Sequence, residues 1–64
     1  MYILHEHEIS RGLTECNLYW SDGNDNVMNA PYGTCRRITR REAEKIFGWY
    51  VKVLRQKQYK PIWA

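Results

Sequence analysis

Sixty-four residues with 44% hydrophobic and 27% charged side chains and a net charge of +3 describe one domain near the size at which a single core only just offsets chain entropy. No apolar run approaches the roughly 18 residues of a membrane span, and MYILHEHEIS lacks the basic start and long apolar core of a secretory leader. The expectation is a cytoplasmic protein with no membrane partner.

Charge is distributed unevenly along the chain. Residues 1–32 carry Arg11 against Glu6, Glu8, Glu15, Asp22 and Asp25, a net −4; from Gly33 onward nine basic residues face Glu42 and Glu44, a net +7. Such a division either steers a charged partner or cancels internally when the acidic strands lie beside the basic segment. With three Trp, five Tyr and one Phe, so small a body cannot bury every ring. Exposed Trp and Tyr are the residue types that anchor interfaces.

Met1 to Ile9 alternates with period two, placing Ile3, His5, His7 and Ile9 on one face and Tyr2, Leu4, Glu6 and Glu8 on the other, which predicts a strand. Ser10, Arg11 and Gly12 supply a turn, and a second strand over about 13–21 follows, its mainly apolar face carrying Thr14, Cys16, Leu18 and Trp20. The polar run SDGNDN contains Asp22-Gly23, a favoured pair for a tight reversal between strands. A third strand falls at 27–29 or 34–38, with Ala30-Pro31-Tyr32-Gly33 as a turn between the two alternatives.

Thr39 to Gln58 is the longest periodic stretch. Thr39 followed by Glu42 is a capping box, and at about 100° per residue Ala43, Ile46, Phe47, Tyr50, Val51, Val53 and Leu54 form one apolar arc. This predicts a helix over about 39–58. Its outer arc carries Arg41, Lys45, Lys52 and Arg55, with Gly48 in the middle and Trp49 at the edge. A glycine inside a helix costs about 1 kcal/mol relative to alanine, so Gly48 reads either as room for a close approach or as a tolerated poor residue. The tail 59–64 offers Tyr59, Ile62 and Trp63 to cover the open end of the core.

Chemical constellations are weak. His5 and His7, two apart on one strand face, with Cys16 and Cys35 are metal ligands by type, but the thiols are singletons rather than the paired knuckles of a structural zinc site. The favoured reading is two half-buried histidines paired with neighbouring glutamates, two free thiols, no metal and no cofactor. Asp22, Asn24 and Asn26 imitate the start of a calcium loop, but Val27 and Gly33 stand where glycine and glutamate are needed. No nucleophilic motif or phosphate loop is present, so no enzyme is expected.

In organisation the chain resembles the small accessory proteins of phages and mobile elements, anti-CRISPR proteins among them: one compact domain, many rings, segregated charge and no catalytic motif. That resemblance carries no residues over and implies a protein that covers a working surface of a larger host complex.

The fold expected is α+β, a small three-stranded mainly antiparallel sheet with one long C-terminal helix packed on one face. The function expected is a non-enzymatic protein-binding module, an inhibitor or modulator of a nucleic-acid-handling host complex, acting as a monomer or weak homodimer. Its partner-binding residues are Arg41, Lys45, Gly48, Trp49, Lys52 and Arg55, or alternatively the acidic Glu6, Glu8, Asp22 and Asp25. Direct nucleic-acid binding through the basic helix face is the second reading. A structural zinc site or a small enzyme stands last.

Overall fold

The computed structural model describes residues 1–23, 26–52 and 61–63. Three strands, β1 (Tyr2–Ser10), β2 (Leu13–Trp20) and β3 (Thr34–Ile38), form an antiparallel sheet in the order β2-β1-β3. Gly12, at φ 78°, turns β1 into β2, and a bulge between Glu8 and Ser10 absorbs the offset before Ser10 meets Leu13.

The third strand enters on the far side of β1, with Tyr2 opposite Ile38 and Glu6 opposite Thr34. Residues 21–33 therefore cross from one edge of the sheet to the other. This corrects the tight reversal expected at Asp22-Gly23. Gly23 does adopt φ 98°, with its N–H donating to Ser21 Oγ at 3.0 Å, but the bend begins a crossing loop instead of joining neighbouring strands.

Because β1 is central, its first half is covered on both faces, and Tyr2, Ile3, Leu4 and His5 are all buried. Doubly covered strands need apolar residues in succession rather than alternation, which explains the YIL run. On one face Tyr2, Leu4, Leu18 and Ile38 pack with Ala43 and Val51, flanked by Trp20, Phe47 and Tyr50. On the other lie Ile3 and His5, beneath a crossing segment that contributes Val27 and Tyr32.

The helix differs most from expectation. Helix α1 covers only Arg40–Phe47, eight residues; helical backbone resumes only at 50–52, beyond Gly48, so among the described residues no long C-terminal helix packed on the sheet is found. Its start is the expected capping box: Thr39 Oγ1 accepts from the Glu42 N–H at 3.1 Å, and the Glu42 carboxylate reaches back to the Thr39 N–H at 3.4 Å. Its end is Gly48, whose φ of 59° and ψ of −131° are incompatible with continuation. The Gly48 N–H still donates to the Glu44 carbonyl at 2.8 Å, closing the last turn.

Gly48 is thus a terminator, not an interior residue, and its freedom at positive φ is the physical reason the rod stops. Beyond it the Val51 and Lys52 amides bond back to Gly48 and Trp49 at 3.4 and 3.1 Å, and helical backbone resumes at 50–52. Within the predicted apolar arc, Ala43 and Val51 are buried and Phe47 and Tyr50 pack beside them, whereas Ile46 is 49% exposed. Val53 and Leu54 lie outside the described residues.

Candidate functional site

The expected binding residues separate into two groups at the Gly48 break. Arg41 and Lys45 stand one turn apart on α1, on the side opposite Ala43 and Phe47, and both are exposed. Trp49 and Lys52 stand on the following turn, three residues apart across an i to i+3 bond, a spacing that brings side chains to one side. Trp49 is 76% exposed, touching Tyr50 edge-on with ring centroids 6.3 Å apart. Arg55 lies outside the described residues. One continuous cationic row along a single rod is therefore not what the chain builds.

Ile46, expected in the core, instead flanks this surface. The signal was present in the helical wheel: at 100° per residue Ile46 falls about 80° from the Ala43–Phe47 centre, and a helix of two turns on a small sheet covers only a narrow stripe. Gly48 holds Trp49 out while Val51, just beyond, is 1% exposed and anchors the turn in the core.

Other cations are engaged within the fold. Arg36 lies 3.8 Å from Glu6 and 3.6 Å from Glu42, joining β1, β3 and α1, and Arg40 bonds Glu44 at 2.9 Å. The two charge poles of the sequence thus partly cancel where β3 adjoins β1. Of the alternative acidic set, Glu6 takes part in that ion pair and Glu8 accepts from the Gly12 N–H at 3.2 Å. Asp22 is exposed on the crossing loop, and Asp25 lies outside the described residues. The acidic residues are therefore partly committed to internal contacts.

The second face of the sheet holds a cluster of rings that sequence reading only half anticipated. His5 is 0% exposed and sits 5.2 Å from the His7 ring, 5.2 Å from Tyr32 and 4.9 Å from Trp63. Tyr19 and Tyr32 each meet Trp63 edge-on at 5.7 Å, and Trp63 Nε1 donates to the Val27 carbonyl at 3.1 Å. Trp63 does fold back, while Ile62 beside it is exposed.

Neither histidine is ion-paired with a glutamate among the described residues, correcting the expected arrangement. His5 Nε2 instead pairs with the Tyr32 carbonyl at 3.0 Å. Nδ1 of both His5 and His7 is buried without a partner.

Gly33 allows this packing, because a Cβ there would lie 2.3 Å from the Glu6 carbonyl and 2.8 Å from His7 Cβ. Cys35 stands opposite His5 across the ladder, its thiol pushed up by burial against a hydrogen bond from the Ala30 backbone. Cys16 stands opposite Glu6 on the other face of the sheet, so the two free thiols are separated. Among the described residues no three His, Cys, Asp or Glu side chains converge as metal ligands.

Tyr32 meets His5, His7 and Trp63 edge to face, as Tyr19 meets Trp63, the packing that aromatic quadrupoles favour, and the cluster forms a second small core. The exposed surface of α1 and the turn after it is the better candidate for recognition. Among the described residues no helix is long and apolar enough to cross a membrane. Comparison of the chain with protein-family models, curated proteins and solved structures finds no match.

Proposed function

We propose that the chain is a non-enzymatic protein-binding module whose contact surface is Trp49 with Ile46, Lys52, Arg41 and Lys45. The observation that carries this is Trp49 at 76% exposure, held by a glycine-dependent turn whose next apolar residue, Val51, is locked in the core. An indole brings 150–250 Å² of surface and is the residue type most enriched at binding hot spots. The exposed cations on either side of the break, Arg41 and Lys45 before it and Lys52 after it, favour an acidic partner surface. Such surfaces occur on proteins that mimic or handle nucleic acid, and an inhibitor or modulator of a nucleic-acid-handling complex is the role this chemistry suits.

Direct nucleic-acid binding is less favoured, because Arg36 and Arg40 are drawn into ion pairs with Glu6, Glu42 and Glu44 and the remaining cations are split by the break. The acidic alternative is weakened by the internal contacts of Glu6 and Glu8.

The deciding experiment captures partners with the tagged chain and compares Trp49→Ala and Lys45→Glu/Lys52→Glu with the parent. Loss of the same captured protein in both variants, with unchanged thermal unfolding, supports the reading. Retained capture in both variants overturns it. Binding to DNA or RNA that falls steeply with salt would instead establish the nucleic-acid reading.

A further inference from the structure

We propose that two copies of this chain associate through the outer edge of β2, pairing antiparallel about a two-fold axis at Cys16 to make a continuous six-stranded sheet. The direction of the backbone groups follows from the ladder. Met1 and Ser21 exchange both backbone bonds, at 2.9 and 2.6 Å. Such pairs recur every second residue of an antiparallel ladder. Ile3–Tyr19, His5–Asn17 and His7–Glu15 are then the pairs bonded to each other, and the N–H and C=O of Thr14, Cys16 and Leu18 point away from β1. Among the described residues no strand lies on that side, and these three make no backbone bond beyond the ladder.

Natural sheets guard such an edge with lysine, proline or brevity. The β3 edge is five residues long and carries Arg36 and Arg37. The β2 edge is eight residues long with no lysine, arginine or proline, and Glu15 is its single charge. Leu13 at its start is 54% exposed.

Among the registers these residues allow, the pairing takes the one that keeps Glu15 beside Asn17. Centring the axis on Glu15 sets that carboxylate against its own copy, which is unfavourable. Centring it on Cys16 pairs Thr14 with Leu18 of the second copy and Cys16 with Cys16. The outward-pointing Thr14, Cys16 and Leu18 are then bonded. Glu15 meets Asn17, the amide that already donates to it at 2.9 Å within one chain, and the exposed Leu13 meets Tyr19.

Light scattering of the full chain across micromolar to millimolar concentration tests the association. Twice the 7.7 kDa mass is expected at the upper end, and a monomer throughout overturns the proposal. Asn17→Glu, which sets two glutamate pairs across the axis, should weaken the dimer about tenfold, and adding Glu15→Lys should restore it. In the Cys35→Ser chain, diamide should join the copies through Cys16, taking up two thiol protons and two electrons, because Cα atoms of a bonded antiparallel pair stand about 5.5 Å apart. A dimer that is insensitive to Asn17→Glu and does not cross-link at Cys16 uses another surface and equally overturns the proposal. Unfolding of each variant at low concentration separates loss of pairing from loss of fold.

Discussion

His5 Nε2 lies 3.0 Å from the carbonyl oxygen of Tyr32, and since a carbonyl only accepts, Nε2 is the donor of this bond. This bond ties the buried imidazole at the centre of β1 to the crossing segment. Replacing His5 by Phe keeps a ring but leaves the Tyr32 carbonyl without its donor, a loss of about 1–3 kcal/mol. His5→Gln, which restores an N–H, should recover part of it. Urea denaturation monitored by Trp fluorescence measures both.

Two glycines at positive φ separate backbone strain from steric exclusion. A Cβ added at Gly12, at φ 78°, would meet nothing within 4 Å beyond its chain neighbours, whereas a Cβ at Gly33, at φ 70°, would meet the Glu6 carbonyl at 2.3 Å. Gly12→Ala should cost about 1–2 kcal/mol, the left-handed penalty alone. Gly33→Ala should cost clearly more, about 3 kcal/mol or above, because backbone cannot move aside as a flexible side chain would. Equal melting temperatures for the two variants would contradict the tight seat of Gly33 on β1.

Gly48→Ala gives a test by sign. In a helix interior the change would stabilise by about 1 kcal/mol. At φ 59° and ψ −131°, a region nearly confined to glycine, it should destabilise by about 1–3 kcal/mol. Chemical denaturation distinguishes gain from loss without reference to any partner.

Alkaline pH should weaken the second face. Burial pushes the Tyr19 hydroxyl above its ordinary value of 10.0, with Tyr32 and Glu15 adding to the rise, and burial likewise pushes the Cys35 thiol above 9.0. In both cases the folded state holds its proton where the unfolded chain has released it. Stability is thus fully present below the unfolded values and declines as pH rises through about 9 and then 10. Cys35→Ser should remove the earlier part of the decline and Tyr19→Phe the later part, read from denaturation midpoints between pH 8 and 11.

The elements set by near neighbours were legible in the chain. The alternation of Tyr2 to Glu8, the turn at Gly12 and the Thr39–Glu42 cap all depend on residues within a few positions of one another, and period and cap chemistry report them directly. The end of the helix was not legible in that way. Ile46, Tyr50 and Val51 continue a helical period through Gly48, and the wheel cannot distinguish a glycine tolerated within a helix from one that reverses the backbone. Arg41, Lys45, Trp49 and Lys52 are exposed, as their place on the outer arc implies, but their continuity follows only from an unbroken rod and falls with it.

By itself the sequence determined the first two extended segments and where the helix begins, because those are properties of local spacing. Tertiary structure alone decided that β3 adjoins β1 instead of β2 and that His5 is enclosed by Tyr32 and Trp63. The reason is that strand order and ring packing join residues 27 or more positions apart, and their free energy comes from mutual burial, which no single stretch of the chain contains.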